Sequence, residues 1–217
     1  MEITWYGYAC FRLRDRGIAI ITDPYDQSLG YRLPRLRGDI VTVSHNHPTH
    51  NFVKGVRGYR KVLEGPGEYE VQGVFVSGIA TYHDDKKGAK SGGNTLFLFE
   101  FDDVSICHLG SLGHPLTQAQ TEMLTDVSVL LVPVGGGSTL DAARASEVIS
   151  QVEPRIVVPM RYHTPGLAVK LDPIGKFLKE MGLPQPEAVS SLKVTAQSLP
   201  QDTQVVLMEP ATAADEG

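Results

Sequence analysis

The chain is poor in the features that mark several large classes of protein. Two cysteines in 217 residues cannot build a disulfide framework. Positive charge is not in excess: 20 lysines and arginines against 25 acidic residues leave a net charge of -5, which argues against a general basic surface for nucleic acid. No apolar run approaches the ~20 residues of a membrane helix. The opening MEITWYGYACFRLRDRG lacks the basic segment and apolar stretch of a signal peptide. Cys10 and Cys107 each sit in a strand-like apolar run and are expected to be buried free thiols in a cytoplasmic protein.

What is present can fold. A hydrophobic share of 41% with 21% charged residues suits a globular core. The length fits one domain, expected over residues 1–210, and the small, acidic residues 211–217 are expected to be a disordered tail.

The first half reads as short strands between tight turns: Glu2 to Tyr6, Cys10 to Arg14, Ile18 to Asp23 and Asp39 to Ser44. After the turn at Gly65-Pro66-Gly67, Tyr69 to Ile79 reads as one strand, and Asn94 to Phe101 with Val104 to Leu109 as a hairpin. Helices belong to the second half. Thr117 and Gln120 have capping-box spacing and predict a helix to about Thr125. Ala142, Ala145, Val148, Ile149 and Val152 repeat at helical spacing before Pro154, and Asp172-Pro173 opens a third helix that Gly182 can end. Between them Val127 to Val134 and Ile156 to Met160 are apolar enough to be buried on both faces. A β-rich half followed by alternating strands and helices predicts a layered α/β domain.

Four histidine-bearing segments follow strand-like runs: Ser44-His45-Asn46-His47-Pro48-Thr49-His50, Thr81-Tyr82-His83-Asp84-Asp85, the stretch from Cys107 to His114, and Pro159-Met160-Arg161-Tyr162-His163. In extended chain, residues two apart point the same way, so His45 and His47 can face one ion. Lone histidines such as His114 and His163 are read as structural. Gly135-Gly136-Gly137 lacks the lysine and spacing of a phosphate loop. No G-x-S-x-G elbow is present for a serine hydrolase.

With its opening WYGYACFR, then ITDP, the histidine cluster, GPGEYEV, YHDD, HLGSLGHPL and VPMRYH, the chain resembles the metallo-β-lactamase superfamily along nearly its whole length. It looks most like the small bacterial branch of L-ascorbate 6-phosphate lactonase-like proteins and zinc-dependent hydrolases. The resemblance implies an αββα four-layer sandwich, with two mixed central β-sheets and helices on both outer faces. It also implies that His45, His47 and His83 are ligands of one zinc and that Asp23 supports the ligand loop. The family holds a second metal at positions that here are Thr49, His50, Ser111 and Arg161, and Tyr8 stands where a histidine is usual. Hydroxyls are poor zinc ligands beside a carboxylate, and a guanidinium has no lone pair to give. A two-zinc site is therefore not expected.

Two readings follow. In the first, the chain is a metal-dependent hydrolase with at most one zinc, acting on a small ester, lactone or phosphorylated metabolite. His50 then serves as a proton carrier, Asp84 as a supporting or basic group, and Arg161 neutralises an oxyanion or phosphate. In the rival reading, catalysis is lost and the pocket binds an anionic ligand or a protein partner. Neither involves nucleic acid or membrane; a homo-oligomer is compatible with both.

Overall fold

A computed structural model describes residues 1–211, so most of the expected tail lies outside the described residues. Ala211 itself is tied down, its N–H donating to Trp5 O at 2.7 Å.

Turns at Gly7 and Gly17 fold the start of the chain into a meander of Glu2–Trp5 (β1), Phe11–Asp15 (β2) and Ile18–Thr22 (β3). Ile40–Val43 (β5) and Lys61–Glu64 (β7) add to it in parallel, and Leu192–Lys193 (β14) pairs with the free side of β1. A short parallel ladder of Leu36–Arg37 (β4) and Val56–Arg57 (β6) stands apart. The second sheet begins with antiparallel strands Gly67–Val71 (β8), Val74–Tyr82 (β9), Gly93–Phe101 (β10) and Val104–His108 (β11). It continues in parallel through Val129–Pro133 (β12), Ile156–Met160 (β13) and Gln204–Val205 (β15).

Helices Gln118–Glu122 (α1), Ala142–Val152 (α2) and Ile174–Glu180 (α3) all follow strands of the second sheet. The first half contributes 3-10 turns, Gln27–Leu29 and Val53–Gly55. The architecture is the expected α/β sandwich of two mixed sheets. Among the described residues, no helix is long and apolar enough to cross a membrane.

Local chemistry explains most boundaries. Thr117 and Gln120 form the expected capping box, although α1 stops at Glu122, earlier than Thr125. Asp141 caps α2, whose apolar stripe is buried and which ends at Glu153 in a left-handed conformation before Pro154. One expectation is corrected. Tyr69 to Ile79 is not one strand but a hairpin, turned by Gln72 and Gly73 at φ 56° and 80°. Two successive positive φ values make the tight turn that matches strand twist. The Gln-Gly pair was the signal for it.

The core lies between the sheets. Phe97 and Phe99 stack on the face of β10 that also carries His108 across β11, and His108 meets Phe11 of the first sheet. Strands β12 and β13 are fully buried, as expected of a central parallel pair under helices. Truncating Phe97 to Ala should cost about 3–5 kcal/mol in urea unfolding, because an inner aromatic leaves a cavity. The same change at Phe75, which is 56% exposed, should stay within about 0.5 kcal/mol.

Candidate functional site

Each candidate residue sits just past the C-terminal end of a strand, so one edge of the sandwich gathers them. Asp23 follows β3, His45 to His50 follow β5, His83 follows β9, Ser111 follows β11 and Arg161 follows β13. Gly110 and Gly113 let the loops close up: a Cβ on Gly110 would meet Ser44 Cβ at 2.5 Å, and one on Gly113 would meet His83 O at 2.5 Å.

Asp23 anchors the histidine loop. Fully buried, it accepts from the Ser44 N–H at 2.7 Å and the Ser44 hydroxyl at 2.6 Å, fixing the residue before His45. Burial pushes its carboxyl up to about 7, while the Ser44 bonds and the Arg161 charge hold it lower than burial alone would.

Donor atoms of His45, His47 and His50 all lie within 4.8 Å of one another. The His83 ring packs on His45 at 4.6 Å between centroids, with its Nε2 3.3 Å from the Ser138 hydroxyl. Burial, helped by neighbouring imidazoles and Arg161, pushes His45 down to about 3 and His83 to about 4. His50 is driven well below its usual range for the same reasons. At neutral pH all three are uncharged, which is the ligating form of imidazole.

The four positions of the expected second site also meet, but without metal chemistry. Arg161 is 3% exposed, and its guanidinium lies 4.5 Å over the Tyr8 ring. One terminal nitrogen donates to His50 Nε2 at 2.9 Å and to the Ser111 hydroxyl. Ser111 Oγ lies 3.1 Å from the same His50 nitrogen. Among the described residues Arg161 Nε has no acceptor. A dication placed here would face a buried guanidinium at a few ångströms, a strong repulsion in a low-dielectric setting.

The hydrogen bonds run on from Arg161 to the surface. His50 Nδ1 is 2.8 Å from Thr49 Oγ1, which is 2.7 Å from His47 Nδ1. Both ends are fixed donors: Arg161 N–H to His50 Nε2, and the Thr49 N–H to His47 Nδ1 at 3.3 Å. The consistent arrangement has His50 Nδ1–H donating to Thr49 and the Thr49 hydroxyl donating to His47 Nδ1. A neutral His47 then carries its proton on Nε2, and lends a lone pair there only if that proton is given up or the chain of bonds reverses. Of the three expected ligands, His45 and His47 lie in the close group, His47 as a conditional ligand, and His83 packs its ring against His45. His50 has both ring nitrogens engaged, so its place in the close group does not make it a ready ligand.

Asp84 is not poised as a base. Its two oxygens accept four backbone N–H groups, from Lys86 (2.8 Å), Gly88 (2.9 Å), Lys90 (2.9 Å) and Ser91 (2.6 Å). The carboxylate thus shapes the loop beside His83, and only the supporting half of its expected role survives. Asn94 escaped the sequence reading. Buried at the start of β10, it donates to Thr81 Oγ1 and Leu109 O and accepts from the Ser111 N–H, bracing three strand ends. A lone amide at the start of a largely apolar strand was its one signal. His114 is structural as expected, accepting the Tyr82 N–H and bonding Pro115 O.

The beta-lactamase superfamily domain matches residues 2–161. A Thermotoga maritima protein of the metallo-beta-lactamase superfamily, taken to be a Zn-dependent hydrolase, is 38% identical in its crystal structure. Its TM-score is 0.78, with 95% of this chain and 97% of that one covered. A UPF0173 metal-dependent hydrolase of Pyrococcus abyssi is 31% identical over 76% of this chain and 85% of its own. Igni18, a metallo hydrolase of Ignicoccus hospitalis, shares the fold at 19% identity, with TM-score 0.66 over 97% of this chain and 96% of its own.

Burial pushes the Asp84 carboxyl up, but the four N–H bonds outweigh it and hold the group at about 2 rather than 3.8. The sign follows from linkage: a depressed folded value stabilises above the unfolded pKa and is lost as pH falls through the folded one. The gap in urea midpoint between the wild type and Asp84→Asn should therefore be constant near neutrality and shrink from about pH 4 towards pH 2. A gap that does not change over that range would remove the ionised loop anchor.

Proposed function

The chain belongs to the metallo-β-lactamase superfamily, and from that premise we propose that it is a metal-dependent hydrolase holding at most one ion, zinc by preference. The observation that carries this reading is the close group of His45, His47 and His50, with the His83 ring packed on His45, beside a buried Arg161 where a second ion would sit. Relatives described as metal-dependent hydrolases support it. A bound ion would supply Lewis-acid polarisation of a water or substrate oxygen.

The chain's own residues supply the rest. Arg161 is a positioning residue: too buried to grasp a substrate, it provides a fixed positive charge behind the histidines and orients His50. His50, Thr49 and His47 form a hydrogen-bonded line along which a proton can move between the buried pocket and the exposed His47. The substrate class is a small ester, lactone or phosphorylated metabolite, whose developing negative charge this cation favours. Two buried free thiols, Cys10 and Cys107, suit a reducing compartment, and we place the activity in the cytoplasm.

The same Arg161 favours a second reading, a non-catalytic protein binding an anionic ligand or a partner, because the residues at the second-metal positions are hydrogen-bonded to one another. Metal content separates the two. Wild-type protein incubated with zinc and dialysed should hold about one ion per chain by elemental analysis, lost in His45→Ala. The triple variant Thr49→Asp, Ser111→Asp, Arg161→His should hold about two. Two ions in the wild type, or none in it after incubation with zinc, would sink the mononuclear reading; the latter favours the second.

A further inference from the structure

At the edge of the first sheet opposite the histidines, the chain builds a second charged site. Gly17 and Ala19 at the start of β3, and Gly38 and Asp39 just before β5, floor a cleft of ≈ 480 Å³. Five arginines line it: Arg12 and Arg14 from β2, Arg35 and Arg37 at β4, and Arg57 on β6. No lysine lines it. Along β3 alone this edge is about 13 Å from Asp23.

The topology makes the convergence. On β2, Phe11 and Leu13 turn into the core, so Arg12 and Arg14 share the outer face. The β4–β6 ladder places Arg37 and Arg57 as register partners, and the Arg37 side chain passes over Gly58, where an added Cβ would come within 3.8 Å of it. Arg12 lies 5.7 Å over the Tyr6 ring. Among the described residues, Arg14, Arg35, Arg37 and Arg57 make no ion pair. Glu2 faces Arg14 across β1 in register, and Asp39, among the described residues the one carboxylate in the lining, accepts the Ala19 N–H at 3.0 Å.

A chain with net charge -5 here concentrates positive charge: eight of its eleven arginines fall within the first 60 residues. Arg14, Arg35, Arg37 and Arg57, which make no ion pair among the described residues, repel one another when held together, and a multivalent anion relieves that repulsion. Arginine is also the side chain whose planar fork matches phosphate oxygens in pairs. The cleft volume lies in the range of small-ligand sites, which lets several arginines engage one compact molecule.

We infer that this cleft is a binding site for a small oligophosphate anion, an inorganic polyphosphate or the phosphate chain of a nucleotide, separate from the histidine site. Recognition runs through the phosphate chain, so affinity rises with the number of linked phosphoryl groups and falls with salt.

Calorimetric titration of the whole chain, without added metal, with orthophosphate, tripolyphosphate, ATP and a short single-stranded oligonucleotide tests this. Tripolyphosphate should bind about tenfold or more tightly than orthophosphate, and weaken as salt is raised. ATP binding equal to that of tripolyphosphate identifies the bare phosphate chain as the ligand, and tighter ATP binding identifies a nucleotide. The double variant Arg37→Gln, Arg57→Gln alters two exposed side chains and should lose about tenfold or more in affinity while keeping its thermal midpoint. Arg144→Gln, outside the cleft, should change neither. His45→Ala should bind as the wild type does. No binding of tripolyphosphate, undiminished binding by the double variant, loss of binding in His45→Ala, or an oligonucleotide that outcompetes tripolyphosphate would each overturn the assignment.

Discussion

A guanidinium that is 3% exposed sets the terms for everything around the histidines. Arg161 cannot shed its charge at any working pH, so its surroundings must satisfy it. His50 is obliged to accept, Ser111 accepts beside it, and the Tyr8 ring covers the cation. Each obligation then passes outward. Because His50 Nε2 accepts, Nδ1 must donate, Thr49 turns accordingly, and the proton of a neutral His47 is held on its outer nitrogen. One buried arginine thus reaches the exposed His47 through defined hydrogen bonds.

The fold makes such crowding possible by ending its strands together. Segments distant in the chain arrive at one edge because β3 and β5 run parallel in the first sheet, as do β11, β12 and β13 in the second. Small residues then let the loops touch. Gly110 and Gly113 bring the turn after β11 against Ser44 and His83 at distances a side chain would forbid. The opposite edge, where the same parallel strands begin, receives the arginines of β2 and the β4–β6 ladder. The sandwich therefore separates two chemistries by the length of its strands, with neutral imidazoles at one end and clustered guanidinium groups at the other.

Much of this architecture was legible in the residues. Apolar runs marked β12 and β13, the Thr117–Gln120 spacing marked α1, and the stripe from Ala142 to Val152 marked α2. These signals are local: a cap or a helical stripe depends on residues a few positions apart. The strands that escaped were β7 and the two-residue β4, β6, β14 and β15, whose pairing depends on partners remote in the chain. The Gln72-Gly73 turn was overlooked because a continuous β-rich run hid a break that glycine alone announced.

By itself the sequence named most of the residues that the fold gathers at this edge: three histidine-bearing loops, Asp23, Thr49, Ser111 and Arg161 all lie in ordered motifs. Residue type is enough for that, since a guanidinium cannot ligate a metal wherever it is placed. Only the tertiary structure decided how each group is engaged. It closed both nitrogens of His50, surrounded Asp84 with four backbone N–H groups, and drew arginines from β2, β4 and β6 into one cleft. Those outcomes depend on directions and distances between groups remote in sequence. Hydrogen bonds and screened charges are short-ranged, so their consequences exist only after the chain has folded.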